Sequence, residues 1–198
     1  MSTILDLDRV GLDAALDGEP RYRVDQLWDG LYRQLRPLEE ISGLPRGLRQ
    51  RLAEQLPDAL VDVTSRTADD GATTKFLWRL GDGATIETVL MGYPDRATVC
   101  VSTQAGCAMA CRFCATGQAG FERHLSVGEI VEQVVKAART TEQRISNVVF
   151  MGMGEPLANY DATWAAVERL HGAMGISARH LTISTVGLVP RMRQLATE

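Results

Sequence analysis

Between Val24 and Leu35 the apolar residues Val24, Leu27, Trp28, Leu31, Tyr32 and Leu35 recur at helical spacing, while Arg23, Asp25, Arg33 and Arg36 take the opposite face. This pattern predicts an amphipathic helix in the middle of a run of short helices from about Asp8 to Leu56. Trp28 and Tyr32 fall at core spacing, which favours packing over base stacking. Gly43 and Pro45 interrupt the chain before a third helix holding Leu48, Leu52 and Leu56. From about Ala59 the period changes to two. Phe76, Trp78 and Leu80 alternate with Lys75, Leu77 and Arg79, Gly81-Asp82-Gly83 supplies a turn, and Thr85 to Met91 returns as a strand. A β-hairpin is predicted there.

Beyond Ala97 strands and helices alternate. Thr98 to Ser102 reads as a strand, and Ser126 with Glu129 forms a capping-box signature opening a helix with Ile130, Val131, Val134, Val135 and Ala138 on its apolar face. Asn147 to Met151 is almost wholly apolar, as suits a strand covered on both sides of a parallel sheet. A helix from near Ala162 to Met174 stops at Gly175, Leu181 to Thr185 is a further strand, and Pro190 marks the first turn of another helix. The expected class is α/β: a partial, incomplete barrel of parallel strands with right-handed crossovers over residues 96–198, preceded by a small helical accessory domain (1–57) and a β-hairpin extension (58–95). The polar motifs follow strand ends, and in barrel-type α/β folds the loops at the carboxyl ends of the strands build the site.

Composition narrows the classes. The chain has 198 residues, 45% hydrophobic and 23% charged, and no apolar run approaches the roughly 20 residues that span a bilayer. No membrane partner is expected. A net charge of −4 gives no overall field favouring nucleic acid. Between Pro20 and Arg51, however, seven arginines face four acidic residues, a local excess of three positive charges that by itself reads as a solvated helical face.

Three of the four cysteines fall in Cys107-Ala-Met-Ala-Cys111-Arg-Phe-Cys114, and the fourth, Cys100, stands seven residues upstream. An odd cluster in a chain of this kind argues for ligation rather than a disulfide staple. Zinc is one candidate, with Cys100 or His124 completing a tetrahedron. The other is a cubane iron–sulfur cluster held by Cys107, Cys111 and Cys114, with one iron left open for a ligand carrying an amine and a carboxylate, as S-adenosylmethionine (SAM) does. Gly154 and Glu155 follow a predicted strand. There a glycine permits close backbone approach to a ligand and a carboxylate can accept from the SAM ammonium, unless Gly-Glu-Pro is a turn only.

The C-x3-C-x2-C spacing with Phe113 before the last cysteine resembles the radical-SAM signature. Arg96 to Cys107, Thr116 to Arg123, Met151 to Pro156 and Leu181 to Gly187 extend the likeness, and together these blocks resemble the dual-specificity RNA methyltransferase (RlmN) family over essentially the whole chain. The resemblance implies a [4Fe–4S] cluster and SAM as cofactors, 23S rRNA and tRNA as substrates, methylation at C2 of adenosine, and an electron donor such as a flavodoxin-type reductant. It implies that Glu87 is the general base at C2, that Cys100 forms a disulfide with a methyl-carrying cysteine near the family's carboxy terminus, and that Ser184 binds SAM; a buried capping hydroxyl is the alternative for Ser184. It also implies that the helical region helps hold RNA. Low cysteine usage and an oxygen-sensitive cluster suit a reducing cytoplasm. The family barrel is larger than three parallel strands, and the sequence stops at Glu198 a few residues into a helix, so an amino-terminal portion lacking the methyl-carrying cysteine and inactive alone is expected. A C8-adenosine relative and a non-catalytic, metal-stabilised RNA-binding module are the competing readings.

Overall fold

The computed structural model describes residues 2–198. Three helices come first: α1 (Arg9–Ala15), α2 (Tyr22–Tyr32) and α3 (Arg46–Gln55). A six-stranded sheet follows, built from β1 (Val61–Ala68), β2 (Thr73–Arg79), β3 (Thr85–Gly92), β4 (Ala97–Cys100), β7 (Ile145–Phe150) and β8 (Leu181–Ile183), in spatial order β1-β2-β3-β4-β7-β8. β5 (Gln104–Gly106) and β6 (Phe121–His124) pair as a separate ribbon flanking the short α4 (Ala115–Ala119). The crossovers are α5 (Val127–Ala138), between β4 and β7, and α6 (Tyr160–Gly172), between β7 and β8; α7 (Val189–Leu195) closes the order.

The predicted hairpin is β2–β3, and β1 extends it to a three-stranded antiparallel meander. β3 pairs antiparallel with β4, so the meander and the parallel strands β4, β7 and β8 form one continuous, unclosed sheet. Period-two alternation decides its faces. Phe76, Trp78, Ile86, Thr88, Leu90, Val99, Val148 and Phe150 are buried on one face, against which α5 lays Ile130, Val131, Val134 and Val135. α2 and α3 add Leu27, Leu31, Tyr32, Leu48 and Leu52 to the same core, confirming packing as the role of the Val24–Leu35 stripe.

The start of α5 is tightly specified. Ser126 Oγ accepts from Glu129 N–H at 3.2 Å and Glu129 Oε2 accepts from Ser126 N–H at 2.9 Å, completing the predicted capping box. Asp6 Oδ1, from the first turn of the chain, accepts from Gly128 N–H at 2.7 Å. A side chain at Gly128 would strike Thr3 and Asp6, so glycine permits this docking. Arg169 on α6 donates to Leu7 O at 2.8 Å and to the buried Tyr32 hydroxyl at 2.5 Å, with its guanidinium 4.9 Å from the Trp28 ring centre. Among the described residues no helix is long and apolar enough to cross a membrane.

Candidate active site on the open face of the sheet

The face of the sheet turned away from α5 carries three of the candidate residues. Glu87 is opposite Leu77, Val89 is opposite Cys100, Cys100 is level with Val149, and Val149 is level with Thr182. Paired residues project to the same side, so Glu87, Cys100 and, two residues beyond Thr182, Ser184 share this face. Glu87 is half-exposed, and its Oε1 accepts from Lys75 Nζ at 2.9 Å. Ser184 is exposed, and its amide approaches Phe150 O at 3.5 Å. The neighbouring Thr185 takes the half-buried bonding role. Burial pushes the Cys100 thiol up, against a smaller opposing pull from the Met151 amide.

β4 leads through Ser102 and β5 into the cysteine loop. A buried polar chain fixes that exit: Trp78 Nε1 donates to Thr88 Oγ1 (2.9 Å), which donates to Gln133 Oε1 (2.9 Å). Gln133 Oε1 also accepts from Ser102 N–H (2.8 Å), and its Nε2 donates to Ser102 O (2.9 Å). Ser102 Oγ donates to Glu87 O at 2.6 Å and accepts from Met153 N–H at 3.0 Å. A buried network with every partner supplied holds its members rigidly.

Cys107, Cys111 and Cys114 sit on the turn between β5 and α4, each partly exposed and none in a disulfide. Cys107 N–H donates to Gly120 O at 2.7 Å and Cys114 N–H to Cys111 O at 3.0 Å, folding the loop on itself. Two glycines allow this. Gly106, at φ +72°, has no room for a Cβ beside Gly120 O, and a Cβ at Gly117 would lie 2.9 Å from Cys111 N. Ala110 takes φ +51° between the first two cysteines. Phe113 is 93% exposed. Among the described residues no three His, Cys, Asp or Glu side chains are gathered as a finished metal cage. His124, the other candidate donor, bonds Gln104 through Nδ1 at 3.0 Å. Three soft sulfur donors on one glycine-shaped loop fit an iron–sulfur cluster by donor chemistry.

The loop after β7 packs against the strand entering the cysteines. Gly154, at φ +101°, has no room for a Cβ because Gln104 N would lie 2.8 Å away. The close approach at this glycine is therefore to β5. Gln104 Oε1 accepts from Glu155 N–H at 2.9 Å. Glu155 is 2% exposed. Its Oε1 accepts from Leu157 N–H (2.9 Å) and Thr185 Oγ1 (2.7 Å), and its Oε2 from Val186 N–H (2.8 Å). The carboxylate thus ties the loop after β7 to the loop after β8.

Comparisons with known proteins agree with this architecture. Residues 101–197 match the family model of the radical SAM superfamily. A crystal structure of a radical SAM methyltransferase from Sphaerobacter thermophilus superposes with a TM-score of 0.96 at 48% identity, covering 100% of this chain and 61% of that one. In sequence and in fold this chain is therefore similar to radical SAM proteins. Its similarity is high to curated proteins named probable dual-specificity RNA methyltransferase RlmN. The Salinispora tropica protein is 53% identical over 195 residues, covering 91% of this chain and 52% of that protein. The Frankia casuarinae protein is 54% identical over 197 residues, covering 91% and 47%. The chain spans about half the length of the curated relatives it matches. The radical SAM fold is present here as an α/β sheet that is not closed.

The sequence pattern missed the β5–β6 ribbon, the Gln133 network and Lys75. Gln133 had a signal, being an uncharged polar residue within the apolar surface of α5. Lys75 had one too: only two of the 21 cationic residues are lysines, the other being Lys136.

Proposed function

We propose that this chain carries the cluster-binding and SAM-binding half of a radical SAM methyltransferase acting on C2 of adenosine in 23S rRNA and tRNA. The observation that carries the reading is the shared sheet face: strand register brings Glu87, Cys100 and Ser184 to one side, and the three-cysteine loop follows β4 in the chain by way of β5. The Glu87 and Cys100 rows adjoin through the Val89–Cys100 pair, which suits two groups serving one substrate.

Cys107, Cys111 and Cys114 would hold a [4Fe–4S] cluster as thiolates, which when bound with SAM supplies one-electron radical chemistry. Glu87, half-exposed and oriented by Lys75, would accept the proton from adenine C2. Cys100, once deprotonated, would attack the sulfur of the family's methyl-carrying cysteine, forming a disulfide as the sulfur–carbon bond to the adenine breaks and the released carbon takes up a proton. Its raised pKa keeps it a thiol rather than a nucleophilic thiolate until then. Gly154, Glu155 and Ser184 border the SAM region. With its carboxylate already holding two loops together, Glu155 would shape that region as much as touch the ligand. A target adenine would have to leave its stack to reach the face. A flavodoxin-type reductant and a cytoplasmic setting fit the cluster's sensitivity to oxygen.

Metal analysis tests this directly. Chain purified and reconstituted without oxygen is expected to retain iron and sulfide in a cubane ratio. Stoichiometric zinc with no sulfide would replace this reading by the metal-stabilised binding module.

A further inference from the structure

The antiparallel half of the open face carries more positive charge than folding requires. Arg66 on β1 stands directly opposite Lys75 on β2, and Arg79 follows Lys75 on the same face four residues on. Like charges directly opposite weaken a strand pair. Glu87 is the acid that answers them on this face, and it pairs with Lys75. Asp62 is opposite the buried Trp78 and so belongs to the other side. Arg66 and Arg79 are exposed and have no side-chain hydrogen bond or ion pair among the described residues. β1 itself is exposed along all eight residues, so its length adds nothing to the core.

We propose that Arg66, Lys75 and Arg79 form a docking track for the sugar–phosphate backbone of an RNA strand, leading it past Glu87. The proposal rests on the RNA-modifying reading above and gives that site its substrate-holding surface. A free guanidinium presents a planar fork of donors that matches a phosphate. Lys75 and Arg79 lie about 13 Å apart along an extended strand, far enough to reach different phosphates. The row continues through Glu87 and Val89 to Cys100, so a backbone held there keeps a displaced base on the face bearing both groups. With a net charge of −4 the chain as a whole does not attract RNA, so attraction has to come from local cationic surfaces such as this track. Phosphate contacts position without reading bases, so the contribution is independent of RNA sequence.

The experiment measures binding of two fluorescein-labelled RNA hairpins of unrelated sequence to the 198-residue chain by anisotropy, at several salt concentrations. Arg66→Gln/Arg79→Gln is compared with the parent chain and with Arg179→Gln, an exposed cation at the opposite ends of the parallel strands. The double variant is expected to bind both hairpins roughly tenfold more weakly at low salt. Its slope of log affinity against log salt should be shallower by about 1.4, the value for two lost single-strand phosphate contacts. Arg179→Gln should match the parent, and thermal melting should show all three equally folded. RNA bound by the double variant as tightly as by the parent would overturn the track while leaving the RNA reading intact, as would loss of affinity confined to Arg46→Gln/Arg51→Gln on α3. Absence of binding to either hairpin by the parent chain would overturn both.

Discussion

Glu155 distinguishes a brace from a cofactor contact, and its removal has a calculable cost. In Glu155→Ala the Leu157 amide loses its acceptor in a place where water does not replace it, since Leu157 is 1% exposed. An unsatisfied buried donor costs about 1–3 kcal/mol. The charge-assisted bonds to Thr185 Oγ1 and Val186 N–H are lost as well. Their loss is milder because the exposed Val186 amide turns to water and the Thr185 hydroxyl rotates. The total is about 3–4 kcal/mol. For a chain of this size that lowers the melting temperature by roughly 10 °C. Glu155→Gln keeps an oxygen for Leu157 and Thr185 and turns an NH2 toward Val186, so it should lose about a third as much. Thermal unfolding by far-UV circular dichroism, without SAM, reads both. An alanine variant melting within about 2 °C of the parent would refute the brace and leave the carboxylate as a ligand group only.

Three further outcomes follow from the same geometry. Glu132 is buried under the chain entering β1, accepting from Ala59 N–H at 2.8 Å and Leu60 N–H at 3.2 Å. Lost solvation, with the Asp58 charge adding, pushes its carboxyl from 4.5 up to about 7. The folded state therefore holds a proton that the unfolded chain has released. Its stabilising contribution is full below about 4.5, and about 3 kcal/mol is lost as the pH rises through about 7. Glu132→Gln should remove that slope from urea unfolding titrations, and an unchanged slope would contradict the assignment. Cys111→Ala should abolish retention of iron and sulfide while Cys100→Ala preserves it; loss of both in the second variant would make Cys100 a ligand. In the apo chain, Cys100 should react with iodoacetamide more slowly than a free thiol peptide, its rate still rising at alkaline pH, as peptide mapping by mass spectrometry would show. Alkylation as fast as the peptide's would contradict its burial.

The order of elements was readable because long periodic segments state their own type. The stripe from Val24 to Tyr32 and the apolar face of α5 admit only helices, and the Ser126–Glu129 capping box marked one helix start; Leu35, which continues the same spacing, lies past the end of α2 at φ +53°. β4, β7 and β8 were found from short apolar runs, with ends displaced by one or two residues because pairing, not composition, sets where a strand stops. β5 and β6 were invisible for the same reason. Three or four residues carry no period, and the ribbon exists because Gly106 and Gly120 let the cysteine loop close. The site residues were legible as residue types at certain spacings, whereas their neighbours were not. Nothing local says that Gln133 reaches Ser102 across 31 positions, or that Gly154 faces Gln104. Such contacts arise from register between distant segments, which a single sequence does not display.

If Cys107, Cys111 and Cys114 hold a cluster with one iron left for SAM, electron paramagnetic resonance of the reconstituted, reduced chain should respond to SAM. A cubane signal whose g-values move when SAM is added is the predicted result. A signal indifferent to SAM, from a centre fully ligated by protein, would contradict it.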